Sequence, residues 1–547
     1  MFGLHTKTNL RCVVVNVYGA CNLKDKEALW EEVTDLKSAN QDRAWFLCGD
    51  FNAVRCASER KGVSERGSQK KEISGFNNFI ESNSLVELSL VGKKYSWYKV
   101  NGTAKIRIDR VLVTDEWLRE WPMAKQYILP REVSDHCAIV VKCLMKDWGP
   151  RPFKSIDAWM MEPTFKEMVR SKWCSYAVRG DNITKFRDKL KSLKADLKVW
   201  NREVFGHMET EKKRILKEIE DLDVLDDADR LEDHDRMKRL DLIGQVRLVN
   251  KKIESLARQK ARSKWFVHGD ANSKYYHSVI RWRRLRNEVK GVQVGDQWCE
   301  EPQVVRREAR ALFEERFVAR HDFGVRLDNV QFKKLTEEES ASIVSSITEE
   351  EVKEAIWMCE GSKSPGPYGF NFNFIKHNWE TIKHDVLAVI QSFEESGIIS
   401  KGCNASFIAL VPKVRDPTKL DEYRPISLVG SLYKIVAKVL SCRMKKVLPA
   451  VIDECQSTFL KDRGLLDSVV VANEVVEELK RGGRRGLCLK VDYEKAYDSV
   501  SWVFLLDMLQ RLGFHSRWIM WIKSCLESAT VSVLVNGSPT AEFNATR

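Results

Sequence analysis

The sequence has no long hydrophobic run. Nowhere does it approach the roughly 18–20 consecutive apolar residues that a helix needs to cross a bilayer. The apolar stretch at residues 12–17 is too short and too interrupted for the core of a secretion signal, so export is not expected and an intracellular chain is. Zinc-type cysteine patterns are missing too. The 14 cysteines are scattered, with no Cys-x-x-Cys pair and no Cys/His array, which reads as reduced, mostly buried thiols. Without internal repeats or low-complexity tracts, the chain reads as separate globular domains.

What is present fits that reading. The chain has 547 residues, 43% hydrophobic and 31% charged, enough for three or four domains of about 150 residues, each with its own core. A net charge of +13 favours a polyanionic partner.

Residues 1–146 alternate short β-like runs, at 13–18, 45–48, 106–108 and 138–141, with helical spacing at 24–38 and 73–83. That is an α/β layout. Composition shifts at Asp147-Trp148-Gly149-Pro150-Arg151-Pro152, a boundary. Residues 147–330 form the next segment, in which 160–290 hold almost no strand signal and 185–264 are heavily charged. Leu216, Ile219, Leu222 and Leu225 stand there at helical spacing, so the segment reads as a connector of long amphipathic helices. It contains the basic cluster 281–286 around Trp282, either a solvated helix face or a phosphate-contacting patch. Residues 331–547 turn α+β. Thr348-Glu349-Glu350-Glu351 opens a helix, residues 364–369 make a turn, and 407–411 and 487–491 are expected to be apolar strands.

Three polar clusters stand against apolar runs in the first segment. Gly49-Asp50-Phe51-Asn52 follows residues 45–48, and a buried strand ending this way sets a carboxylate and an amide at a sheet rim, where pockets form. Asp109 is the single acid in Arg107-Ile108-Asp109-Arg110-Val111-Leu112. Ser134-Asp135-His136-Cys137 sets an acid beside an imidazole. Taken singly, an Asp at a strand end is more often a turn cap. Together, three carboxylates, an amide and an imidazole suit metal-assisted phosphodiester hydrolysis. Carboxylates hold Mg²⁺ and activate water, while His and Asn steady the charge building on phosphorus.

In this order the clusters resemble the later motifs of the endonuclease/exonuclease/phosphatase superfamily, the fold of abasic-site and LINE endonucleases. Val17-Tyr18-Gly19 resembles its tyrosine-bearing motif. The resemblance implies part of a four-layer α/β sandwich. Asp50 would activate water or serve the leaving group, and Asn52 and His136 would hold the scissile phosphate. Asp109 would orient His136, Asp135 would sit near the metal, and Tyr18 would contact phosphate. The family's early Asn and metal-binding Glu belong well ahead of Tyr18, which only 17 residues precede here, so an impaired nuclease is expected.

The third segment carries a second set. Leu487-Cys488-Leu489-Lys490-Val491 leads into Asp492-Tyr493-Glu494-Lys495-Ala496-Tyr497-Asp498, an acid at a strand end suited to a Mg²⁺–nucleotide site. Upstream, Lys413 and Arg424 are either plain surface charges or cations that grip a triphosphate. The segment resembles a LINE-type reverse transcriptase. The resemblance starts at Lys363-Ser364-Pro365-Gly366-Pro367 and runs through Leu410-Val411-Pro412-Lys413, Tyr423-Arg424-Pro425-Ile426-Ser427-Leu428 and Gln456-Ser457-Thr458-Phe459 to Val491-Asp492 and Ala496-Tyr497-Asp498. It implies fingers and the start of a palm, with Asp492 as a ligand of Mg²⁺ (or Mn²⁺) and Tyr497 as a steric gate against a ribose 2′-hydroxyl. Arg424 and Lys413 would meet the incoming dNTP. Tyr368 stands where the family has Asp, which puts the turn in question. The family's Phe-Ala-Asp-Asp box is absent, so no primer extension is expected from this chain alone. Trp265-Phe266-Val267-His268-Gly269-Asp270-Ala271-Asn272 and Lys274-Tyr275-Tyr276-His277 resemble a stretch at the like place in LINE polyproteins and take no assigned chemistry.

The order of segments resembles a LINE-type (non-LTR) retrotransposon polyprotein, truncated at both ends. That implies target-primed reverse transcription, with target DNA, template RNA and dNTPs as partners and no membrane. The alternative is an inactive nucleic-acid-binding remnant of a decayed element. A lipid or inositol phosphatase of the same superfamily would leave the polymerase motifs unexplained. Action in the nucleus follows from the substrate, and the sequence sets no oligomeric state.

Overall fold

The computed structural model describes the chain except residues 63–68, 132, 229, 262–278, 281–282, 296, 319–326, 401, 415, 457, 459, 461–462, 488, 492–499 and 547. Asp492, Tyr497, Asp498 and the stretches 265–272 and 274–277 therefore lie outside the described residues. The chain forms two compact units. Unit 1 comprises residues 1–149, 272–308 and 410–425, and unit 2 comprises 150–271, 309–409 and 426–547. Among the described residues, no helix is long and apolar enough to cross a membrane.

Unit 1 begins with β1 (Phe2–His5), β2 (Leu10–Tyr18), α1 (Leu23–Ser38), β3 (Ala44–Asp50), β4 (Arg60–Lys61), α2 (Gln69–Ser82), β5 (Val86–Glu87) and β6 (Ser89–Gly92). It continues with β7 (Trp97–Tyr98), β8 (Lys105–Ile106), β9 (Asp109–Val113), α3 (Asp115–Glu120), β10 (Ala124–Ile128), β11 (Ile139–Cys143) and the hairpin β12 (Val292–Val294) and β13 (Gln297–Cys299). Five strands pair in the order β1-β2-β3-β9-β5, and a second sheet runs β11-β10-β6. Strand alternation sorts the side chains of the large sheet. Trp45 and Leu47 of β3 and Leu112 of β9 pack with Trp30, Phe76 and Phe79 of α1 and α2. Their neighbours Phe46, Cys48, Val111 and Val113 face Ala124, Ile139 and Val141 of the second sheet. Helices thus cover one face of the sheet and a second sheet covers the other.

A buried ion network closes unit 1. Arg110, fully buried, bonds Glu59 and reaches Glu87 at 2.7 Å. Arg107 contacts Glu87 at 2.6 Å and Asp416 at 2.7 Å, and Lys290 bonds the other Asp416 oxygen. These charges fix residues 286–290 and 410–425 to the sheet region.

Unit 2 is mainly helical. It contains α4 (Phe165–Ser175), α5 (Asn182–Trp200), α6 (Met208–Asp227), α7 (Asp233–Ala261), α8 (Glu337–Ser342), α9 (Glu349–Met358), α10 (Phe372–His377) and α11 (Trp379–Ser396). Then follow β14 (Ala405–Pro412) and β15 (Tyr423–Val429), whose far ends belong to unit 1, and α12 (Ser431–Val451). The rest is α13 (Leu465–Arg481), α14 (Trp502–Arg511), α15 (Ser516–Glu527), β16 (Thr530–Val535), β17 (Ser538–Pro539) and β18 (Phe543–Asn544). Trp159, Phe165, Trp173, Trp379, Phe393, Ile435, Trp518 and Trp521 share one core. β14 pairs parallel with β16. Thr348 caps α9 in a reciprocal box with Glu351, so the start read from Thr-Glu-Glu-Glu has its mechanism. The 364–369 turn closes through the Gly369 N–H on the Gly366 carbonyl at 2.9 Å, and the Tyr368 hydroxyl donates to the Gly402 carbonyl at 2.7 Å. Tyrosine at this position leaves the turn intact.

The helical spacing at residues 216–225 is that of α6, whose core with α7 holds Ile215 and Leu222 with Leu242 and Val249 and has Ile219 packed against it, while Leu216 and Leu225 are exposed. One expectation needs correction. The expected buried strand at 487–491 does not form at its described residues, 487 and 489–491. Leu487 and Leu489 are 96% and 80% exposed, and among the described residues no strand pairs with this stretch. A strand needs a ladder partner for its N–H and C=O groups, and an apolar run alone does not supply one.

Candidate active site

Backbone pairing aligns three polar side chains. Tyr18 of β2 is the register partner of Asp50 of β3, and Asp50 is the register partner of Asp109 of β9. Close backbone approach demands glycine beside them. Gly49 has φ +132°, and a Cβ there would lie 2.1 Å from the Val17 carbonyl oxygen. At the end of β3 the chain turns through Asn52 (φ 48°), whose N–H donates to an Asp50 carboxylate oxygen at 2.8 Å.

A serine couples the second polar cluster to the third. The Ser96 hydroxyl accepts the N–H groups of Ile108 and Asp109 at 3.1 and 3.0 Å, and the Ser96 carbonyl accepts the Cys137 N–H at 2.7 Å. His136 thereby comes against Asp109, its Nδ1 lying 3.0 and 3.1 Å from the two carboxylate oxygens. A carboxylate opposite Nδ1 makes that nitrogen the proton donor, so in the neutral ring Nε2 is the acceptor. Tyr18, Asp50, Asp109 and His136 line one cleft of about 1000 Å³, with Asn16, Phe46, Cys48, Val111 and Ile139 among its walls. Burial pushes the Asp50 carboxyl upward, and Asp109 nearby adds to the push; the Asn52 N–H, His136 and Lys26 oppose it.

Two candidates stand off this cleft. The Asn52 side-chain amide turns to the Gly19 carbonyl and Cys21 Sγ, each at 3.4 Å. Asp135 is exposed, and its carboxylate accepts the Trp97 indole N–H at 2.8 Å, which holds its pKa below the usual aspartate range. Ser96 and Trp97 carry no motif, so sequence reading passes over both; only their contacts reveal them. With Asp109 engaged by His136 and Asp135 by Trp97, no three His, Cys, Asp or Glu side chains among the described residues converge as a metal site. The described residues do not fit an assembled Mg²⁺ ligand set.

Residues 11–136 match the endonuclease/exonuclease/phosphatase family, and residues 411–547 match reverse transcriptase (RNA-dependent DNA polymerase). Over 546 residues, 96% of the chain, it is 23% identical to the uncharacterized 149 kDa protein of transposon TX1 from Xenopus laevis, covering 41% of that protein. Over 197 residues, 36% of the chain, it is 26% identical to the RNA-directed DNA polymerase of mobile element jockey from Drosophila melanogaster, covering 21% of it. The chain belongs to the polyproteins of non-LTR retrotransposons. It spans about two fifths of the length of the first of these relatives and about one fifth of the second.

In this retrotransposon chain, Tyr18, Asp50, Asp109 and His136 fall inside the nuclease-family match, and Lys413 and Arg424 inside the reverse-transcriptase match. Lys413 is exposed, its N–H on the Glu422 carbonyl at 2.7 Å and its Nζ on the Asp421 carbonyl at 2.9 Å. Arg424 is an exposed residue of β15.

Proposed function

We propose that this chain serves target-primed reverse transcription. Unit 1 hydrolyses a phosphodiester of target DNA, and residues 411–547 belong to a polymerase that copies template RNA with dNTPs, in the nucleus. The observation that carries the nuclease half is the Asp109–His136 pair facing Asp50 within one cleft. Held by Asp109 through Nδ1, His136 turns Nε2 to a phosphoryl oxygen, and when protonated it steadies the charge that builds there. Asp50, made reluctant to ionise by burial, takes a proton from the attacking water or returns one to the leaving oxygen. Tyr18, at the cleft rim, contacts phosphate, and Asn52, whose amide is turned away, holds the Asp50 carboxylate through its N–H. In the finer reading, unit 1 is part of a four-layer α/β sandwich, and the polymerase stretch supplies fingers and the start of a palm.

On the polymerase side Arg424 and Lys413 meet the triphosphate, Asp492 is a metal ligand and Tyr497 is the sugar gate. Mg²⁺ or Mn²⁺, when bound there, supplies a Lewis acid for phosphoryl transfer. A second reading, nucleic-acid binding without cleavage, draws support from the engagement of Asp109 and Asp135 with His136 and Trp97, which leaves no cluster of carboxylates among the described residues to hold a metal ion.

Supercoiled plasmid incubated with purified chain and Mg²⁺ or Mn²⁺ tests the first reading against the second. Nicked circles that disappear with His136→Ala support hydrolysis, and retarded but uncut plasmid supports binding alone. A chain that neither cuts nor retards DNA contradicts both. Extension of a primer on an RNA template reads the polymerase half separately.

A further inference from the structure

Behind the cleft, a second set of buried charges meets the turn that follows β3. Lys26 stands at the start of α1, where the Asn22 side chain accepts the Asp25 N–H at 2.9 Å and the Asn22 carbonyl accepts the Lys26 N–H at 3.3 Å. Only 4% of the Lys26 side chain is exposed. Its ammonium donates to the Asn52 carbonyl at 2.7 Å and to Glu72, in the first turn of α2, at 3.0 Å. Arg60 of β4 reaches the same Glu72 oxygen at 2.9 Å.

Asn52 is therefore gripped at both ends of its backbone. Its N–H donates to the Asp50 carboxylate at 2.8 Å, and its carbonyl accepts from Lys26. Its φ of 48° is a left-handed conformation, which persists where the surroundings hold it. Phe51 and Ala53, on either side, are buried, and the Asp50 carbonyl accepts the Gly19 N–H at 2.6 Å.

Stability alone does not account for this ammonium. Taking a lysine charge out of water is costly, and apolar residues commonly replace a buried ion pair without loss. Glu72 already has Arg60 as a partner. What Lys26 adds is the bond to the Asn52 carbonyl and a positive charge acting on Asp50. The other charged groups that act on Asp50 are Asp109 of β9 and His136 ahead of β11. We propose that Lys26 is a positioning residue of the cleft: from the helical layer it fixes the turn at Asn52 and so sets where the Asp50 carboxylate points. This rests on reading Asp50 as the carboxylate that moves a proton in phosphodiester hydrolysis, and it extends that site to a residue outside every motif.

The test is carboxyl labelling of the full chain with a water-soluble carbodiimide and glycine ethyl ester. Mass spectrometry follows Asp50 across pH, with the 98% exposed side chain of Asp233 as reference. The reagent takes the protonated acid, so the midpoint of Asp50 labelling reports its ionisation. Lys26→Met removes a cation and should move the midpoint up. Glu72→Gln keeps the ammonium and should leave the midpoint in place or lower it, whereas loss of a merely structural staple would move both variants alike. The double variant Lys26→Met, Glu72→Gln leaves no unpaired buried acid, which keeps the test open if the single variant does not fold, and it should also lie above wild type. At saturating plasmid, Lys26→Met should nick on the order of 100-fold more slowly with KM little changed. Equal midpoints in wild type and the Lys26 variants, or an upward move with Glu72→Gln, overturn the proposal. Nicking by Lys26→Met at the wild-type rate overturns it as well. A wild-type chain that does not nick overturns the nuclease reading alone, because labelling decides the placement of Lys26 without turnover.

Discussion

Replacing Asp416 with Asn should loosen two chain segments at once. Asp416 is the acid that both Arg107 and Lys290 contact, and its own side chain is only 20% exposed. Removing one partner from a buried ion pair costs about 3–5 kcal/mol, because the remaining charge stays buried without compensation. Residual exposure of Asp416 and the second acid available to Arg107, Glu87, argue for the lower end, about 3 kcal/mol, or roughly two powers of ten in local opening. The chain has two units, so a single unfolding midpoint would mix them. Amide hydrogen exchange followed by mass spectrometry reads the segments separately. Protection should fall in 286–292 and 410–425 and hold in the α6–α7 hairpin. The exposed pair Arg11–Asp42, with side chains 66% and 60% exposed, is the control, and Asp42→Asn should change little. The pH dependence has a definite sign. Lys290 and Arg107 hold Asp416 well below the usual carboxylate range in spite of burial. Its contribution is therefore present above the unfolded aspartate value of about 3.9 and is lost as pH falls through the lower folded value. Wild type and Asp416→Asn should converge in acid. Unchanged exchange at neutral pH would refute the reasoning.

Other outcomes follow from the same structure. Gly49→Ala sets a Cβ against the Val17 carbonyl at a left-handed φ of +132° and should cost about 3 kcal/mol or more, whereas Gly102→Ala, with open space around it, should cost about 1 kcal/mol; thermal melts compare them. If ionised Asp50 is the base, the nicking rate should rise with pH through a value above the ordinary aspartate value of about 3.9, and Asp50→Asn should remove that limb. An acid limb at or below the ordinary value counts against Asp50. Tyr368→Phe, which deletes the hydroxyl donor to the Gly402 carbonyl, should lower stability by about 1 kcal/mol in urea titration.

Elements with both a period and punctuation were legible in the sequence. The run 45–48 lies within β3, where residues alternate between helices and second sheet, and Thr348 with Glu351 announces α9. Apolar content without a partner was less informative. The run 487–491 reads like 45–48, yet its described residues 487 and 489–491 lie outside any strand while 45–48 is in a central strand, because neighbours decide and neighbours are not written locally. On α6, Ile215 and Leu222 face inward and Leu216 outward, a choice that periodicity alone does not make among long charged helices. Within the candidate site, Asp50, Asp109 and His136 each stood out as a chemical type near an apolar run. Their meeting depends on β-register and on Ser96, which looks like any other serine. The Arg107–Asp416 contact joins residues 309 apart and had no local signal.

The most direct test is a double-mutant cycle on plasmid nicking with Asp109→Asn, His136→Ala and the pair together. If the carboxylate acts through the imidazole, the double variant nicks about as slowly as His136→Ala alone, because one functional unit is lost once. Losses that multiply would mean that the two residues act independently. A wild-type chain no faster than buffer would contradict the account at its root.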